Sequence, residues 1–160
     1  MRAAFDVDLH RVHGFSEAGG RICYNAPEWP WEALHAHDLV LVEIASPVDT
    51  SKEEAEAYNR RKWAIGNALM IGRLMLLLEQ LRIEDKVIVS PSNKWTLGHP
   101  QKIREIASGC AGEDNHDIRA CRSMLFYHGT NPEQWVPIRK YYESLSTRKK
   151  PIPSKRRKAT

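Results

Sequence analysis

The stretch Asp38-Leu39-Val40-Leu41-Val42-Glu43-Ile44-Ala45-Ser46-Pro47 decides how the rest of the chain is read. Leu39 to Val42 is an unbroken apolar run. A strand with one face in water alternates, whereas a continuous run marks a strand covered on both faces, as at the centre of a parallel sheet. Glu43 then puts a carboxylate between Val42 and Ile44, three residues before Ser46-Pro47. An isolated buried carboxylate costs several kcal/mol or is held neutral. A basic partner, a place at the solvent-facing end of the strand, or a bound cation would each relieve that cost. In open α/β sheets the carboxyl ends of the strands are also where ligands bind.

Working outward, Arg2 to Asp8 is a second short apolar run holding an acid, Asp6, and reads as a first strand. Arg11–Ser16 and Arg21–Asn25 flank Glu17-Ala18-Gly19-Gly20 and read as a hairpin. Pro27 and Pro30 precede helix formers, which predicts a short helix before His37. From Thr50 to Ile83 the spacing turns helical, with a Ser/Thr cap candidate and acids in the first turn. Lys86–Pro91 is a further strand. Helices are predicted from Pro100 to Cys110 and from Asp114 to Gly129, the latter opened by Asp114 and stopped at Gly129. Asn131 to Leu145 reads as a last helical piece interrupted at Pro137. An antiparallel start followed by strand–helix alternation predicts an α/β sheet with helices on both faces.

The 160 residues suit one domain with a sizeable core. The N-terminus meets an acid before any apolar stretch, so no secretory leader is expected. Ala64 to Leu81 is interrupted by Asn67, Arg73, Glu79 and Gln80 and is read as a core helix, too polar to cross a membrane. Cys23, Cys110 and Cys121 form no close pair, which fits a reducing compartment. His35 and His37 stand one residue apart and no C-x-x-C exists, so a zinc site is not expected.

Charge is unevenly spread. Of 24 Lys and Arg, seven lie after Glu143, leaving 17 against 20 acids in the body. Those seven are Arg148, Lys149, Lys150, Lys155, Arg156, Arg157 and Lys158. Residues 147–160, with Pro151 and Pro153 among them, are expected to be a basic disordered tail after a domain spanning 1–146. Such a tail attracts phosphates, or simply keeps the chain soluble.

Asp114 and Asp117, three apart at a helix start, share one face. Taken alone they are a cap and a first-turn acid. Taken with Asp6 and Glu43 they make four carboxylates from two strand ends and one helix start. Oxygen donors of that kind suit Mg²⁺ shared with a phosphate. Two such ions about 4 Å apart promote phosphodiester hydrolysis.

This order of acids resembles the ribonuclease H-like superfamily, and within it the RuvC-type Holliday junction resolvases in a compact, phage-type form. Asp6 on the first strand, Glu43 on the fourth and Asp114-Asn115-His116-Asp117 on the last helix carry the resemblance, over about residues 1–128. In ribonuclease H itself the glutamate lies on the first helix, so Glu43 favours the resolvase branch. The resemblance implies a five-stranded mixed sheet with helices on both faces. It implies a crossover junction endodeoxyribonuclease that resolves four-way DNA junctions by two-metal hydrolysis, with Mg²⁺ as cofactor and Mn²⁺ able to substitute. Asp6, Glu43, Asp114 and Asp117 would be the metal ligands and catalytic residues. Lys94 and Lys102, around Gly98, would hold phosphates, with the seven tail cations adding affinity. A homodimer in the cytoplasm of a bacterium or phage-infected host is implied, with no membrane partner. The alternatives are another nuclease of the fold, acting on RNA–DNA hybrids, flaps or branched DNA, and a non-catalytic nucleic-acid-binding module. The chain departs from the family where Val7-Asp8 follows Asp6, which leaves Asp8 able to share its role, and where Ile118-Arg119 stands in place of small or apolar residues.

Overall fold

The computed structural model describes residues 1–7, 11–25, 29, 31–44, 54–90 and 95–148. The strands are β1 (Arg2–Val7), β2 (Arg11–Ser16), β3 (Gly20–Asn25), β4 (Leu39–Val42), β5 (Val87–Val89) and β6 (Val136–Pro137). The helices are α1 (Trp31–Ala36), α2 (Glu54–Leu81), α3 (Gln101–Ala107), α4 (His116–Thr130) and α5 (Ile138–Arg148). The sheet runs β3-β2-β1-β4-β5-β6. β2 is antiparallel to both β1 and β3, β4 lies parallel between β1 and β5, and β6 closes the far edge antiparallel to β5. This is a mixed α/β sheet with helices on both faces, as the sequence predicts.

The apolar run of β4 is explained by that position. Val40 and Val42 join Ala3, Phe5, Val7, Val87 and Val89 on one face, packed against Leu34 of α1 and Met70, Ile71, Leu74 and Leu78 of α2. Leu41 joins Ala4 and Ile88 on the other face, under Cys121, Met124, Leu125 and Tyr127 of α4. Because side chains alternate along a strand, odd positions of β1 face α2 and even positions face α4. Between β1 and β2 the fit is tight. A Cβ on Gly14 would come within 2.5 Å of the Phe5 ring, so only glycine lets that ring lie across β2.

Three expectations are corrected. The sheet has six strands, not five, because Asn131–Leu145 is not one interrupted helix. A short 3₁₀ turn at Pro132–Gln134 leads into β6, and α5 follows. Pro137 has no N–H to give a ladder, which confines it to a sheet edge, and it pairs with Ile88 there. The second correction concerns α2. By length and composition Lys62–Leu81 would serve as a membrane span, so it is not too polar for one. Here its buried side packs on the sheet, as the core-helix reading expected. Helix α4 also runs one residue past Gly129, to Thr130, and the N–H of Asn131 bonds back to the Tyr127 carbonyl at 2.8 Å. The cap candidate before α2 lies outside the described residues, as do residues 149–160.

Candidate active site

Strand parity builds the site. Asp6 is an even position of β1, so its side chain shares the α4 face with Ala4. The β1–β4 register pairs Phe5 with Val42. One step further along, Glu43 stands beside Asp6, about 4.8 Å away as neighbouring strands are spaced. The Glu43 N–H extends the ladder by donating to the Phe5 carbonyl at 3.3 Å. On its other side Asp6 pairs with His13 of β2. His13, Asp6 and Glu43 therefore form a row across three strands, at the carboxyl ends of β1 and β4.

Helix α4 lies over that row. Its N-cap is Asn115, whose side chain accepts from the N–H groups of Asp117 at 2.9 Å and Ile118 at 3.2 Å. This corrects the assignment of the cap to Asp114, which is exposed in the preceding loop. Capping fixes the first turn, and the Asp117 Oδ2 meets His13 Nδ1 at 2.5 Å. One turn on, Cys121 is fully buried beneath the carboxylates, and its thiol donates to the His13 carbonyl at 3.6 Å. Burial first, then the charges of Asp6, Glu43 and Asp117, push that thiol well above its usual range. Three of the four expected acids thus act on one buried atom.

Glu43 carries the same strain. Burial raises its pKa above the ordinary carboxylate value; the Arg104 guanidinium opposes this, and Asp117 adds to it. The backbone around it is held from the opposite face. Asn67 of α2 donates through Nδ2 to the Val7 carbonyl and to the Glu43 carbonyl, each at 3.1 Å. One amide thereby ties the ends of β1 and β4 together. Beside Glu43 opens a cleft of about 250 Å³ between α3 and α4, which Arg104 and Arg119 also line.

The carboxylates of Asp6, Glu43 and Asp117 offer the oxygen donors that suit a hard divalent cation, and one of them is held up by burial. The positions are not closed around an ion, and among the described residues no group of three His, Cys, Asp or Glu is placed to hold one. Of the expected phosphate contacts, Lys102 is exposed on α3 and Lys94 lies outside the described residues. Arg148 ends α5, and Lys149, Lys150, Lys155, Arg156, Arg157, Lys158 and Asp8 all lie outside them.

Sequence reasoning missed His13, Asn67, Arg104 and Cys121. Asn67 left a trace: it is the polar member of the stripe Asn67, Met70, Ile71, Leu74, Leu78 that α2 buries. His13 could be found only with the hairpin register in hand. Arg104 and Cys121 carried no signal of their own.

No protein-family model matches the sequence, and no curated protein does. Among solved structures, Thermus thermophilus RuvC in complex with a Holliday junction substrate aligns at 13% identity and a TM-score of 0.47, covering 86% of this chain and 98% of that one. A second T. thermophilus RuvC structure aligns at 11% identity and a TM-score of 0.45, over 86% and 99% of the two chains.

Proposed function

We propose that the chain is a Mg²⁺-dependent endodeoxyribonuclease that cuts four-way DNA junctions. The observation that carries this reading is the pairing of Asp6 with Glu43 across adjacent parallel strand ends, with Asp117 facing them from the start of α4. An acid at the end of β4, rather than on a helix, supports the resolvase branch of the fold over its ribonuclease H branch.

In this reading Asp6, Glu43 and Asp117 hold the ions, with Asp114 as a fourth ligand from the loop before α4. Bound Mg²⁺ would supply the water activation and leaving-oxygen stabilisation that two-metal hydrolysis needs. The protein's part is positioning. Asn67 fixes the two strand ends, Asn115 fixes the first turn of α4, and His13 orients Asp117 from below. Lys102 and Lys94 would neutralise backbone phosphates, and the tail cations would add affinity that falls with salt. A homodimer matches a two-fold junction, and the outward side of α2 supports it: Ile65, Leu69 and Leu76 are each more than half exposed. The cytoplasm of a bacterium or phage-infected host is the compartment this activity requires.

The test compares a four-way junction, an RNA–DNA hybrid and a plain duplex as substrates in Mg²⁺. Junction cleavage by the native chain and its loss in Glu43→Gln are expected. Cleavage at the native rate by Glu43→Gln would remove the assignment, and preferential cutting of the hybrid would move it to another branch of the fold.

A further inference from the structure

The cleft beside Glu43 has a use that the carboxylates do not explain. Two arginines reach it from different helices, Arg104 of α3 and Arg119 of α4, with His116 at the same rim. Both guanidinium groups are held by neighbours. Arg104 lies over the buried Trp95 ring, its Cζ 5.6 Å from the centroid. Arg119 sits with its Nε 3.5 Å from Glu105 Oε1 and contacts His116 through Nη2. The Arg119 Nε is buried without a hydrogen-bond partner. Glu105 meets its charge at 3.5 Å, and Arg119 as a residue lines the open cleft. A guanidinium held over an indole face keeps its planar fork of donors, the geometry that suits phosphate.

We propose that Arg104 and Arg119 form a phosphate subsite that seats the DNA backbone against Glu43. This rests on the nuclease reading and names the chain's own anion contacts within it. The cleft also holds two acids. Glu105 stands behind Arg119 as its counter-ion, and Glu43 belongs to the cation site. A divalent cation on Glu43 removes its charge from the cleft, leaving the arginines in excess over Glu105. The subsite is therefore strongest when the cation is bound.

The experiment measures junction affinity against salt in Ca²⁺, with binding as the readout. On duplex arms, each phosphate that the protein no longer neutralises lowers the slope of log K against log salt by about 0.9. Arg104→Gln and Arg119→Gln are each expected to flatten the slope by about that amount and the double variant by about twice as much. Arg104→Lys and Arg119→Lys, which keep the charge, are expected to hold the native slope. Gln101→Glu, at an exposed lining position, adds a negative charge beside Glu105, to which the Gln101 Nε2 donates at 2.9 Å, and is expected to weaken binding severalfold. Thermal unfolding of each variant distinguishes a missing guanidinium from a disrupted fold. Native slopes in both Gln variants, or native affinity in Gln101→Glu, would overturn the subsite and leave the nuclease reading standing. No junction binding by the native chain would overturn both.

Discussion

Replacing Asn67 with Leu tests the claim that one amide holds the site together. Leucine keeps the branching of asparagine in a larger side chain and suits the apolar stripe around Met70, Ile71 and Leu74. What it removes is the donor to two carbonyls. The Val7 carbonyl lies in a buried bond, so it loses its donor with no water to replace it, a cost of about 1–3 kcal/mol. The Glu43 carbonyl is only partly buried, and water recovers part of its bond, so its share is about 1 kcal/mol. The sum is about 2–4 kcal/mol. A domain of this size loses about 2–4 °C of Tm per kcal/mol, so Tm should fall by about 4–16 °C in circular dichroism melts. Junction cleavage, measured well below the new Tm, should fall further than stability alone explains, because Asp6 and Glu43 are no longer fixed side by side. A variant as stable as the native chain would refute the hydrogen-bonding account. A less stable variant with native cleavage would refute the positioning role.

Three further outcomes follow. Glu43→Gln should raise Tm at pH 7 in EDTA. Burial raises the folded pKa of Glu43, so native stability falls as pH rises from the unfolded value of about 4.3 through the folded one, and the variant's gain should vanish below about pH 4. Adding Mg²⁺ should stabilise the native chain and not the variant, and a Tm gain unchanged at pH 3.5 or by Mg²⁺ would contradict the burial argument or the ion site respectively. Gly14→Ala should cost about 1–3 kcal/mol in urea unfolding by forcing the Phe5 ring aside, and native stability would show that the ring moves freely. Asn115→Ala should cost about 1 kcal/mol through the lost cap, whereas Asp114→Ala should leave Tm unchanged. If Asp114→Ala also leaves cleavage unchanged, the metal ligands number three.

The fold was legible where a residue's type conflicts with every position but one. Leu39 to Val42 fits only a strand covered on both faces, and β4 lies between β1 and β5 with a helix layer on each side. Asp6 and Glu43 were legible for the same reason, since a carboxylate in such a strand is tolerable only at its end. β6 was not. Two residues hold no period, and Val136-Pro137 pairs only because β5 offers an open edge. The cap of α4 was misread because Asp114 and Asn115 are chemically equivalent candidates, and the choice depends on where the chain turns. Asn67 was visible as an exception in an apolar helix, but its task depends on what α2 packs against. A pattern along one element shows which side is buried. It does not show which carbonyls wait on the other side.

The same features that reveal the site also weaken the fold, and this gives the arrangement its logic. A row of His13, Asp6 and Glu43 under Asp117 concentrates negative charge above a buried thiol, and burial already opposes the ionised form of Glu43. Left alone, such a row would be more stable as an apolar layer. Three groups hold it in place: the Asn67 amide on the strand ends, the Asn115 cap on α4, and His13 beneath Asp117. Each of these fixes backbone or orientation, and none removes a carboxylate. The Asn67 and Asn115 amides fix the backbone without bringing charge, which is what a site needs if its counter-charge is to arrive with the ligand. Arg104 opposes the charge of Glu43, and it stands in the wall of the cleft where an anion would draw on it. A cation on Glu43 would then leave Arg104 to meet a phosphate, so that binding of either favours the other.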